Sequence, residues 1–335
     1  MIPTPIYEVL PYVYMLMGAM ALVSIDLIAA KICGLILITI GAVIYRTRRN
    51  YRHQRLRLGD LKDGKGRASK KAPSKQDLAK SEQDFQTSED HYERGNYREA
   101  VKWCRKAAEQ GNASAQVNLG AMCAEGLGVA QDFQEALRWY REAAQQGEAV
   151  ACFNLGVMYI EGQGVARNLQ EALKWHRQAA GQGHVLAQFN LGMMYEQNAD
   201  ALSLQEAAEW YRQAAGQGYA PAQVNLGAMY IEGRGVARDF RKALKYYQEA
   251  AQQNYAPAQF NLGIMCFEGH EGVAKDWAMA YVWFSQAAQQ GDSDAQHMRD
   301  KVAARLTPAQ KLQAQQLLKA TTSGIESAVG APERN

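Results

Sequence analysis

Proline is scarce, 8 residues in 335, and beyond residue 80 no stretch alternates apolar with polar residues as a half-buried strand does. That excludes a sandwich or barrel and leaves Ala, Gln, Leu, Glu, Lys and Arg to build an all-α chain. Cysteine is scarce too. The five, Cys33, Cys104, Cys123, Cys152 and Cys266, are odd in number and contain no CxxC pair. A disulfide framework is therefore not expected; Cys33 lies in an apolar run, and Cys104, Cys123 and Cys266 read as buried fillers in a reducing compartment. The six histidines, His53, His91, His176, His184, His270 and His297, form no metal-ligand spacing with one another or with cysteine. GxSxG, HExxH and Cys/His nucleophile patterns are absent. The chain is read as having no catalytic residue, no metal, no cofactor, no small-molecule substrate and no nucleic-acid partner.

Charge is present but unevenly spread. Between Arg46 and Lys80 thirteen Lys or Arg stand against three Asp, a net +10, whereas residues 1–45 carry −1 and the remainder −6. A basic neck thus joins an acidic body, a pattern of membrane or polyanion contact. Ahead of the neck, Val9 to Tyr45 is apolar except for Asp26 and Lys31. The run exceeds the roughly 20 residues of one perpendicular span. Splitting it at Ser24–Asp26 gives a transmembrane hairpin, 9–25 and 27–45, within an anchor of residues 1–45; one tilted span is the alternative. No Lys or Arg precedes the run, and Arg46, Arg48, Arg49, Arg52, Arg55 and Arg57 follow it. The positive-inside rule then places everything after Arg46 in the cytoplasm, at the inner (cell) membrane. Residues 46–80 read as a flexible basic linker in which Arg46, Arg48, Arg49 and Arg52 are candidate contacts for lipid headgroups.

From residue 112 the sequence copies itself. Units run 112–147, 148–183, 184–218, 219–254 and 255–291. Each opens like Ala115–Cys123 or Ala151–Tyr159, and most then turn through Glu-Gly-x-Gly-Val, as at Glu125–Val129, Glu161–Val165 and Glu232–Val236. Each closes on a second helix of the kind seen in Ala136–Gly147. A two-helix unit of this length is stable only when stacked on neighbours. The third turn, Glu196–Ala201, has lost both glycines, and Asn198 or Asp200 is expected to take the left-handed conformation there. The fifth turn is widened by His270-Glu271.

These residues resemble the Sel1-like repeat family, relatives of the tetratricopeptide repeats. The resemblance covers 112–291 in five copies. Residues 81–111 look like a tetratricopeptide unit, 292–320 like capping helices with Thr307 and Pro308 starting the last one, and 321–335 like a disordered tail. The fold this implies is a right-handed α/α solenoid behind an N-terminal transmembrane helical hairpin. The function it implies is a membrane-tethered protein–protein interaction scaffold presented to the cytoplasm. The alternative is a periplasmic or secreted module binding cell-envelope components.

On a helical wheel Ala115, Leu119 and Met122 share one face. A second set recurs on the other side: Val117, Phe153, Phe189, Val224 and Phe260, flanked by Asn118, Asn154, Asn190, Asn225 and Asn261. Further round come Ala121, Val157, Met193, Ala228 and Ile264. These are the candidate partner-binding residues, an apolar floor with amides along it that suits an extended peptide or partner helix. Packing between adjacent first helices is the other reading, and the sequence leaves both open.

Overall fold

The structure is a computed structural model that describes residues 75–197 and 200–329. The expected membrane hairpin and most of the basic linker lie outside these residues. Among the described residues no helix is long and apolar enough to cross a membrane.

Fourteen helices and no strand are found among the described residues. They are α1 (Lys75–Glu93), α2 (Tyr97–Glu109), α3 (Ala113–Glu125), α4 (Phe133–Gln145), α5 (Ala149–Glu161), α6 (Leu169–Gly181), α7 (Val185–Glu196), α8 (Ala201–Gly216), α9 (Ala220–Glu232), α10 (Phe240–Gln252), α11 (Ala256–Glu268), α12 (Trp277–Gln289), α13 (Ser293–Ala303) and α14 (Pro308–Val329). The chain divides into two compact units, one up to Ala187 and one from Gln188 onward. In the first, α1 packs on α2, α3 on α4 and α5 on α6; in the second, α9 packs on α10, α11 on α12, and both α13 and α14 on α12.

The ends of the helices follow from local chemistry. Each regular first helix stops at a glycine in the left-handed region: Gly126 (φ 70°), Gly162 (φ 75°) and Gly233 (φ 72°). The Leu127 amide then donates to the Met122 carbonyl at 3.0 Å, closing a Schellman turn. The second glycine of the turn is required for a different reason. A Cβ on Gly128 would lie 2.3 Å from the Tyr97 carbonyl, and one on Gly164 would lie 2.6 Å from that of Phe133. The turn of one pair is thus pressed against the start of the preceding pair's second helix. Second helices begin on Asp132, Asn168, Asp239 and Asp276, whose side chains accept from the first free amides. At α14 Thr307 and Gln310 form a reciprocal capping box.

At the altered third turn Asp200 is not the residue in the left-handed conformation. Asp200 is extended (φ −79°) and caps α8, accepting from the Leu202 and Ser203 amides. A carboxylate that can cap need not adopt the left-handed state, and α8 starts earlier, reaching 16 residues. Asn198 lies outside the described residues. In the widened fifth turn His270 and Val273 exchange backbone hydrogen bonds around Gly272.

Inside the pairs from α3–α4 to α11–α12 the second member of the paired aromatics, or the histidine in its place, seats on the first helix's glycine. Added Cβ atoms would approach Tyr140 to 2.8 Å at Gly120, His176 to 2.6 Å at Gly156, Tyr211 to 2.4 Å at Gly192, Tyr247 to 2.5 Å at Gly227 and Phe284 to 2.5 Å at Gly263. The glycine is a socket for a ring, which is why it recurs mid-helix despite its cost of about 1 kcal/mol in helix propensity. Leu119, Leu155, Leu191 and Leu226 complete the core with no exposed surface. In α3, α7, α9 and α11 a buried glutamine is tied to the end of the second helix: Gln146 donates to Gln116 at 2.7 Å, Gln217 to Gln188 at 2.7 Å, Gln253 to Gln223 at 3.0 Å and Gln290 to Gln259 at 2.7 Å; α5 has Cys152 at that position.

Candidate functional site

The helix-phase argument for an aromatic groove floor is corrected by the packing. Phe153 is 4% exposed, Phe189 3%, Phe260 6%, Val224 8% and Val117 9%. Phe153 lies between His176 of its own pair, 5.2 Å between ring centroids, and His184, stacked at 4.7 Å. Phe189 is held the same way by Tyr211 (5.7 Å) and Tyr219 (5.1 Å), and Phe260 rests on Phe284 at 5.5 Å. The wheel assumed one buried face per first helix. A stacked first helix has more than one neighbour, and this column fills the joint between its own second helix and the residue that opens the next pair.

The asparagine column is split. Asn154 is buried, whereas Asn118, Asn190, Asn225 and Asn261 are half-exposed. Asn225 also bonds the Tyr211 hydroxyl, so it serves the fold as well as facing solvent. The accessible side of the first helices is the next stripe round, Ala121, Val157, Met193, Ala228 and Ile264, every one half-exposed. Its C-terminal edge is acidic, through Glu125 and Glu161 in one unit and Glu232 and Glu268 in the other. The period-3.6 pattern places this stripe beside the phenylalanine column.

In the first unit the stripe borders a shallow cleft between α1 and α3 with about 20 Å³ of accessible space, room for one or two water molecules. Ser88, Glu89 and Tyr92 line one wall and Asn118, Ala121, Met122, Glu125 and Leu127 the other. Ser88 donates to the Ala100 carbonyl at 2.8 Å and the Tyr92 ring meets Tyr97 edge-on at 5.1 Å, which holds the α1 wall in place. Burial pushes the Glu89 carboxyl up, with help from Glu82, Glu93 and Asp90. The sequence signal for this wall was the run of carboxylates along α1, which carried no role in the repeat pattern.

In the second unit a charged network marks the altered repeat. Glu196 accepts from the Tyr211 hydroxyl at 2.7 Å and pairs with Arg234 at 2.7 Å, and Arg234 also pairs with Glu232. A glycine-free turn leaves the end of α7 anchored by side chains instead.

No three His, Cys, Asp or Glu residues stand together to hold a metal ion among the described residues. Burial raises the Cys104, Cys123 and Cys152 thiols to about 12, so they are poor nucleophiles. The candidate headgroup contacts Arg46, Arg48, Arg49 and Arg52 lie outside the described residues.

Comparison with known proteins fits this geometry. A family model described as Sel1 repeat matches six consecutive segments, 86–112, 113–148, 149–184, 185–219, 220–255 and 256–292. The first helix pair, which looked tetratricopeptide-like in sequence, therefore carries the same repeat as the rest. A crystal structure of a Sel1 repeat protein from Oxalobacter formigenes is similar at 32% identity and a TM-score of 0.57, over 63% of this chain and 84% of that one. A protective antigen of uropathogenic Escherichia coli strains, c5321, is similar at 31% identity and a TM-score of 0.48, over 70% of this chain; the match spans 59% of that protein. No curated protein matches.

Proposed function

The chain belongs to the Sel1 repeat family, and on that footing we propose that it is a non-enzymatic scaffold that docks a protein partner on the half-exposed stripe of its first helices. Sel1 repeats are in general protein-interaction modules. The observation that carries the reading here is the stripe itself. Ala121 and Val157 in the first unit, and Met193, Ala228 and Ile264 in the second, are small or apolar side chains that are half-exposed and are not the residues that seat the rings. Regularly spaced apolar contacts with polar groups beside them suit an extended segment or a helix.

A photo-crosslinking amino acid at position 121 or 228 tests this against one at Arg138, an exposed residue of a second helix. Adducts from the stripe positions and none from Arg138 are expected. Equal adducts from all three would remove the stripe as the docking face.

The scaffold is further proposed to be tethered at the inner membrane with its repeats in the cytoplasm. Support comes from the apolar run 9–45 and the arginines that follow it. Alkaline phosphatase fused after residue 75 and at the C-terminus is expected to be inactive. Activity at either site would reverse the topology and favour the envelope-binding alternative.

A further inference from the structure

We propose that the start of α7 is held by an acid-released cap: neutral His184 closes the helix, and its protonation opens it. This device is independent of the docking stripe.

α7 begins at Val185, and its first amides need an acceptor from outside the helix. His184 supplies one: its Nδ1 accepts from the Ala187 amide at 3.2 Å. Only the neutral imidazole with its proton on Nε2 has a lone pair at Nδ1 for that bond. Asn112 caps α3 in the same way, whereas Glu148, Tyr219 and Tyr255 make no side-chain cap bond at α5, α9 and α11. Among these first helices a titratable side chain therefore makes the cap bond at α7 alone. Protonation converts the acceptor into a donor and leaves N–H facing N–H. It also sets a positive charge at the positive end of the helix dipole. Ala187 has no exposed surface, so its amide cannot turn to water where it stands. The first turn has to open before that amide is satisfied again.

The surroundings do not shelter the charge. The His184 ring stacks on Phe153 at 4.7 Å, and Phe153 lies against His176 at 5.2 Å. Glu148 opens α5 and Glu161 ends it, α6 carries Glu171, Lys174 and Arg177, and α7 ends at Glu196. Among the described residues none of these acts on His184, and its own carbonyl is the one group that favours the charged form. Burial outweighs that carbonyl and brings the folded imidazole down to about 4. An exposed imidazole titrates near 6.5, so opening takes up a proton between these values. A charged His184 in turn disfavours a charge on His176, which stays neutral to about 3, so His184 is the first of the two to titrate. Opening acts on the helix through which the chain passes from the first compact unit into the second.

The test follows the full-length protein in detergent micelles by ¹⁵N-edited NMR. At pH 7.5 His184 is expected as the Nε2–H tautomer. Protection of the Ala187 amide, corrected for the intrinsic pH dependence of exchange, should fall about thirtyfold between pH 7.5 and 5, the factor set by 6.5 and about 4. The Leu262 amide in α11 should keep its protection, which separates release of the cap from unfolding of the whole chain. His184→Asn, whose amide oxygen caps without titrating, should abolish the fall at Ala187, and His176→Phe should leave it in place. A proton on Nδ1 at pH 7.5 overturns the proposal; the tautomer is read in the parent, so this arm stands even if H184N does not fold. A fall at Ala187 that persists undiminished in H184N overturns it too. Disappearance of the fall in His176→Phe would assign the effect to His176 and overturn it as well.

Discussion

Replacing Phe153 by Ala is expected to destabilise the first unit by about 3–5 kcal/mol, the range for deleting a fully packed ring from a core. The ring is 4% exposed and touches His176 on one side and His184 on the other, with Gly156 and His176 occupying the space beneath. Nothing can collapse into the vacated volume without moving a helix. Because repeats are stabilised by their neighbours, the loss should spread through α3–α6 rather than stay in one pair. Amide exchange in the full-length protein reads this directly. Protection in α3–α6 should fall together, and Phe153→Ser should be worse than Phe153→Ala because it adds a hydroxyl with no partner. A substitution that left exchange unchanged while abolishing partner crosslinking would return the ring to the docking surface and invalidate the packing described above.

The repeat architecture was legible because its determinants are local. A left-handed glycine ending a helix, an Asp or Asn starting the next and a small residue under a ring recur at fixed intervals, and none depends on distant partners. The third turn shows the limit of such reading. Of Asn198 and Asp200, either of which suits the left-handed conformation, Asp200 supplies a helix cap instead and Asn198 lies outside the described residues. The docking face was harder to see because burial on a stacked helix is set by the neighbours. Phe153 and Ala121 differ by one face of a wheel, yet one is enclosed by two imidazoles and the other borders a shallow cleft. Size pointed the wrong way: the large residues were needed inside, and the small ones were left outside.

The second large effect expected is acid destabilisation of the first unit, centred on His176. This imidazole stands where other pairs place Tyr140, Tyr211, Tyr247 and Phe284, with no exposed surface and neither ring nitrogen hydrogen-bonded among the described residues. Burial, and secondarily His184, lower its pKa to about 3, and burial lowers that of His184 to about 4. Both folded values fall below the ordinary 6.5, so above pH 6.5 the histidines are neutral in either state and the stability is complete. As pH falls through 6.5 the unfolded chain takes up protons that the folded chain refuses, and stability drops until the folded values are reached. For His176 alone the loss is about 2 kcal/mol at pH 5. Carboxylates add little to this window: the stability from Glu135, held at about 2 by Arg105, is lost mainly below its ordinary 4.5, and the Glu148 carboxyl at the start of α5 is raised by burial, which acts in the opposite sense. His176→Phe supplies the ring that Phe284 already uses and removes two unpaired nitrogens, so its melting midpoint at pH 7.5 should equal or exceed that of the parent. Between pH 7.5 and 5 the parent should lose markedly more stability than the variant, whose remaining slope belongs to His184. Parallel curves for the two proteins would mean that His176 is hydrated or partnered in solution. The enclosed joint between Phe153, Gly156 and His184 would then have to be more open than its packing distances allow.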